Sequence, residues 1–193
     1  MWSSAVLLFL SIGCSSDHVG APAWRVGQWV EYDVTCRGKS WRLEYAIVSE
    51  ERSRDSTLFW LEVRKFEEKD SLFVKFLVPA GLAGPPEKIV IGGNGMKSQL
   101  LLDGSRIASV PGGAAASVAV DRSASLEEVD TPAGKFASRK YGHDSGVAWL
   151  CPKVPIFGVV RSRGDDIEMV LAGYGLKGAA SRLREAPELV AVP

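Results

Sequence analysis

At 193 residues, 46% hydrophobic and 24% charged, the chain is long enough for one domain with a real core, too short for two full ones, and unlike a disordered or fully membrane-embedded protein. Its 23 Lys and Arg are matched by 23 Asp and Glu, interspersed in stretches such as Glu62-Val63-Arg64-Lys65-Phe66-Glu67-Glu68-Lys69. A nucleic-acid binder carries a basic excess on one face, because phosphate neutralisation dominates its affinity, so nucleic acid is excluded as a partner.

Residues 1–13 are read as a signal peptide. Ala5 to Gly13 is apolar apart from Ser11, and the charge-free stretch from Met1 to Asp17 is too short for a spanning helix of ~20 apolar residues but suits a signal core of ~7–15. Ser11-Ile12-Gly13-Cys14 resembles the bacterial lipobox, in which the signal is removed just before a cysteine that has received lipid, so Cys14 is the expected lipidation site. The other readings of this segment are an ordinary secretory signal cleaved near Gly13 or Ala23, and a buried N-terminal strand. Ser15 stands where an Asp would be the familiar inner-membrane retention signal, so the resemblance implies an outer-membrane lipoprotein facing the periplasm. Its partner is then the membrane, held through palmitate-like chains at ~0.8 kcal/mol per buried methylene. Residues 14–23 form a flexible tether of small, polar and turn-forming residues, with His18 as a solvated linker residue.

A single β domain is expected over residues 24–184. Trp29 to Cys36 alternates Val30, Tyr32, Val34 and Cys36 with Glu31, Asp33 and Thr35, the period-2 pattern of a half-buried strand. Arg37-Gly38-Lys39-Ser40 turns the chain. Trp41 to Ser49, Thr57 to Phe66 and Ser71 to Val78 continue the alternation, so the first four runs form an antiparallel meander. Between Pro79 and Gly113, short apolar pieces at Lys88 to Ile91 and Ser98 to Leu102 predict loops with one or two edge strands or a short helix. A second group of strands is expected at Ala116–Asp121, Leu126–Val129, Lys135–Tyr141, Val147–Leu150, Ile156–Ser162, Ile167–Tyr174 and Leu176–Leu183, with turns at Asp130 to Gly134, Gly142 to Gly146 and Arg163 to Asp166. Residues 185–193 are read as a loosely attached tail. About ten strands with little helix predict a mainly β fold: a strongly curved antiparallel sheet or half-open β-barrel, since a flat sheet of that size leaves long edges to protect.

Motifs of chemistry are few. Gly173-Tyr-Gly175-Leu-Lys-Gly178 matches a dinucleotide pattern, but too little chain follows it for the helix, second strand and acidic residue of such a site. Gly92-Gly93-Asn94-Gly95 lacks the Lys-Ser/Thr of a phosphate loop. His143-Asp144-Ser145 holds the three residue types of a hydrolase triad as neighbours on one turn, where the imidazole cannot easily lie between hydroxyl and carboxylate. No Cys-x-x-Cys or His-Glu-x-x-His spacing occurs, so no metal, cofactor or catalytic set is expected. With Cys14 lipidated, Cys36 and Cys151 form an even pair in an oxidising compartment, and a disulfide between them is expected, with two buried thiols or a reactive cysteine as the alternatives.

Trp24-Arg-Val-Gly27-Gln-Trp29-Val-Glu-Tyr32, Val129-Asp-Thr-Pro-Ala-Gly134-Lys-Phe136, Trp149 to Val160 and Glu168 to Gly178 together resemble the LolA/LolB-like superfamily of lipoprotein-sorting proteins and related outer-membrane lipoproteins. The resemblance implies a half-open antiparallel barrel whose concave apolar face holds acyl chains. Combined with the lipobox-like start and the many aromatic residues, it leads to the expectation of a non-catalytic envelope lipoprotein that binds an acyl chain, a lipoprotein or another hydrophobic ligand. Trp149, Val154, Ile156 and Phe157 would line the mouth of the cavity. The alternative is a structural or interaction protein whose barrel is filled by its own side chains, because an inward residue reads the same in a filled and a hollow barrel.

Overall fold

The computed structural model describes residues 23–52, 56–67, 71–80, 85–93, 99–103, 125–143, 146–183 and 189–191. The expected signal peptide, Cys14, the tether up to Pro22, and the strand expected at Ala116–Asp121 lie outside them. Twelve strands form one sheet: β1 (Trp29–Cys36), β2 (Lys39–Arg52), β3 (Thr57–Phe66), β4 (Ser71–Pro79), β5 (Lys88–Gly93), β6 (Gln99–Asp103), β7 (Leu126–Thr131), β8 (Gly134–His143), β9 (Gly146–Leu150), β10 (Val159–Gly164), β11 (Ile167–Gly175) and β12 (Leu189–Ala191). Their order is β12-β6-β5-β4-β3-β2-β1-β11-β10-β9-β8-β7. Neighbours are antiparallel except β6 and β12, which run parallel. No α-helix occurs among the described residues. The fold is therefore the mainly β, open and curved sheet that the strand count predicts.

Local chemistry explains the hairpins. Cys36 pairs with Lys39 across a two-residue turn in which Arg37 and Gly38 have φ of 49° and 75°, the paired positive values that match the twist of flanking strands. Asp166 of the neighbouring β10–β11 turn accepts a hydrogen bond from Arg37 Nη2 at 2.7 Å, tying the two tips together. The register shifts at Glu31/Tyr32 between β1 and β11, at Ile47/Ser49 between β2 and β3 and at Val159/Arg161 between β9 and β10, and such bulges bend a sheet. At one end the sheet rolls over: β7 comes back against β10 and β11, Ala133 N–H donates to Leu171 C=O at 3.4 Å, and the Phe136 and Tyr174 rings meet edge-on at 5.9 Å.

Alternation then sorts the side chains. Val30, Tyr32 and Val34 of β1, Leu43, Tyr45 and Ile47 of β2, Leu61 and Val63 of β3, Val74 and Phe76 of β4, and Met169 and Leu171 of β11 are buried in one cluster on the core face. Each fully buried side chain of this size contributes about 1.5–3 kcal/mol. The register places Glu44 opposite Arg64, and Arg64 opposite Phe73, on the other face.

Three expectations change. The strand expected from Ile156 begins only at Val159, because residues 151–158 are a compact loop. Leu176–Leu183 is not a strand but an irregular segment, bent at Leu176–Lys177 and at Arg182–Leu183, that crosses the face opposite the core. Within the expected loose tail, Leu189–Ala191 forms β12 on the edge of β6.

Candidate functional site

The candidate ligand residues gather around the loop between β9 and β10. Pro152 and Pro155 have no N–H to donate, so the ladder stops there. Cys151 N–H donates to Gly158 C=O at 2.7 Å and closes the loop, and Phe157 N–H reaches Pro155 C=O at 2.9 Å. That last bond makes a γ-turn centred on Ile156, whose φ is 68°. Positive φ at a β-branched residue is a real backbone outlier, and this γ-turn form is rare and strained.

The loop is folded onto the core face. Val154 is fully buried and Ile156 is 2% exposed. Trp24 Nε1 donates to Ile156 C=O at 2.9 Å and the Tyr32 hydroxyl donates to Val159 C=O at 3.1 Å. Phe157 stands edge-on to both Trp24 and Tyr45, at 6.0 and 5.2 Å, and Trp24 stands edge-on to Phe59 at 5.9 Å. Burial pushes the Tyr32 and Tyr45 phenols well above their ordinary range, with Tyr45 adding to the shift at Tyr32. Both hydroxyls therefore stay neutral, and Tyr32 remains a donor. Val154 and Ile156 thus act as a plug, with Phe157 beside them at partial exposure.

Trp149 sits differently. It pairs with Lys140 on β8 and Arg161 on β10, and both cations lie over its ring, at 5.3 and 5.7 Å. Its Nε1 donates to Glu127 Oε2 at 2.8 Å, and this bond is the main reason the Glu127 carboxyl lies below its ordinary range. Such a cation-flanked indole is anchored to charge. Nearby, Phe136, Cys151, Lys153 and Tyr174 outline a cavity of ≈ 270 Å³, at the small end for a ligand pocket and partly polar.

The expected Cys36–Cys151 disulfide is not formed; both are free thiols. Cys36 pairs with Ile167, beside the Glu168–Arg163–Val147 level of the sheet, whereas Cys151 follows the Leu150–Val159 rung. These levels are roughly 10 Å apart along β9, and β1 and β9 are separated by three strand spacings of about 4.8 Å. A bridge needs Cα atoms within about 7 Å.

The opposite face carries a charged cluster that the sequence reading did not single out. Arg64, its side chain 3% exposed, donates through Nε to Glu62 at 2.7 Å and through Nη1 to Glu44. Its Nη2 donates to Ala180 C=O. Glu62, fully buried, also accepts from Arg182 N–H at 2.9 Å and from the Ser181 hydroxyl. Leu183 packs with Phe73 and Val90, with Trp60 and Phe66 alongside. Burial raises the Glu44 carboxyl above its ordinary range even though Arg64 pulls it down. In sequence these charges look like the solvent side of half-buried strands, because the covering segment comes from far along the chain.

The glycine pattern has a packing reason. The Trp29 indole lies over Gly173 and Gly175, and a Cβ on Gly175 would stand 2.3 Å from Nε1. His143 ends β8, while Asp144, Ser145 and His18 lie outside the described residues.

The chain matches no protein-family profile and no curated protein sequence. Among solved structures it is similar to a protein of Bacteroides fragilis NCTC 9343 described as exported and as having a YmcC-like fold, at 12% identity and a TM-score of 0.35, over 80% of this chain and 98% of that one. It is also similar to a protein of Parabacteroides distasonis ATCC 8503 described as a lipoprotein, at 14% identity and a TM-score of 0.39, over 80% of this chain and 97% of that one. Neither is described as LolA- or LolB-like, and likenesses at this level bear on neither ligand nor partner.

Proposed function

We propose that the protein is a bacterial envelope lipoprotein, exported and anchored through acyl chains on Cys14 at the outer membrane, whose periplasm-facing β domain is non-catalytic and works through its surfaces. The anchoring part is supported by Ser11-Ile12-Gly13-Cys14 and the short apolar core before it. The observation that supports the surface part is the plug: Val154 and Ile156 are buried in one cluster with Trp24, Tyr32 and Tyr45, so the chain's own side chains fill the core face.

Two experiments test it. Cys14→Ala is expected to leave the precursor unprocessed and to abolish membrane partitioning; unchanged processing and partitioning would sink the anchor. Titration of the folded protein with a fluorescent fatty-acid probe is expected to give no saturable binding. Saturable binding would favour the second reading, an acyl or lipoprotein ligand that displaces the plug. The strained Ile156 backbone is the observation in favour of that reading, since stored strain lowers the cost of leaving.

A further inference from the structure

Glu62, Arg64 and Glu44 lie under an irregular segment, Ala179–Leu183, which bends at Arg182 and Leu183, where the Ser181 hydroxyl also reaches Leu183 C=O at 3.0 Å, and which is held as a peptide ligand is held. Its backbone supplies a donor, Arg182 N–H to Glu62, and an acceptor, Ala180 C=O to Arg64. Two side chains are read: the Ser181 hydroxyl bonds Glu62, and Leu183 enters the apolar socket of Phe73 and Val90. The Arg182 guanidinium lies over Phe66 at 5.6 Å and stays at the rim. Upstream, the link is exposed, with Leu176 at 65%, and Ala179 N–H donates to Gly27 C=O at 2.9 Å.

The choice of charge beneath this segment is informative. A face that stays covered is as stable or more so when apolar: replacing buried ion pairs by packed hydrophobic residues is often neutral or stabilising by about 1–4 kcal/mol. A face that is periodically bare is better charged, because its groups regain water when the cover leaves and no broad apolar patch is exposed. Apart from one leucine socket, the groove under Ala179–Leu183 is of the second kind.

We propose that this groove is a binding site for a short peptide carrying a hydroxyl residue two places before a leucine, bent there as Ala179–Leu183 is, and that Ala179–Leu183 occupies it reversibly in the partner's absence. The site gives the surface reading of the function a partner class, and rests on that reading. Glu62 and Arg64 read the peptide backbone and the hydroxyl, and Phe73 and Val90 read the leucine. The segment and the partner compete, so anything that loosens the chain's own Leu183 makes the groove more available.

The test is fluorescence anisotropy with a labelled AASRLRE peptide added to the full chain. Saturable binding is expected, weakened about tenfold or more when the peptide's leucine is replaced by aspartate, and tightened about tenfold when the chain carries Leu183→Ser. Glu62→Ala is expected to abolish binding; because it strands Arg64 and can unfold the domain, the Leu183→Ser chain and the peptide variants decide the matter. Absence of saturable binding to a folded Leu183→Ser chain, or equal binding of a scrambled peptide, would overturn the site. A silent fatty-acid probe beside a silent peptide titration removes only the peptide site. Saturable probe binding removes the surface reading instead.

Discussion

At the scale of single residues, backbone conformation and charge environment decide what a substitution does. Ile156 is buried and has φ of 68°, where an L side chain costs roughly 1–2 kcal/mol and glycine nothing. Ile156→Gly should therefore be more stable than Ile156→Ala by about 1 kcal/mol in urea denaturation, reversing the usual order. Equal or opposite stabilities would mean the loop relaxes out of its γ-turn. Glu168 accepts from both Arg161 and Arg163, and the Arg161 hydrogen bond is the main cause holding its carboxyl below the ordinary range. Its folded pKa lies under its unfolded one, so its contribution is present above the unfolded pKa of about 4.3 and is lost as pH falls through the folded value. Glu168→Gln should flatten the acid limb of the stability–pH profile, modestly because the group is partly exposed. Glu44 has the opposite sign: its raised carboxyl favours the fold below the unfolded pKa, and that contribution is lost as pH rises through the folded value.

At the scale of elements, two non-strand pieces do most to define the molecule, and both face the sheet. The 151–158 loop fills the core face and Ala179–Leu183 covers the other. The charged cluster under the latter makes a prediction that separates pair-breaking from pair-replacement. Glu62→Leu alone should cost about 3–5 kcal/mol in urea midpoint analysis, because Arg64 is left buried with only part of its partners. Replacing Glu44, Glu62 and Arg64 together by apolar residues of similar volume should cost much less. A triple variant as unstable as the single one would show that the charges stabilise this face. The strands themselves were legible, since alternation at β1 to β4 and the turns at Arg37-Gly38 and Pro132-Ala133 are local properties. The loop and the covering segment were not, because Ile156-Phe157 and Leu176 to Leu183 carry strand-like composition while their neighbours in space are distant in sequence.

At the scale of the whole molecule, the two sequential strand groups meet through β1 and β11, in a sheet whose order runs from β12 to β7 without closing. Pairing the first described strand with one of the last requires a long loop closure before any gain, so refolding should be slow for the chain's size, in milliseconds to seconds, by stopped-flow tryptophan fluorescence. Microsecond refolding would mean the meanders are stable apart. The sequence by itself determined the strand-rich class, the hairpin turns and the balance of charge, because alternation, turn chemistry and summed charge are local or additive properties. Tertiary structure alone decided that Val154 and Ile156 fill the core face, that Cys36 and Cys151 lie too far apart to bond, and that Glu62 and Arg64 are buried. Each depends on which distant segment lies over a given face, and a period-2 pattern records that a face is covered or bare without recording by what.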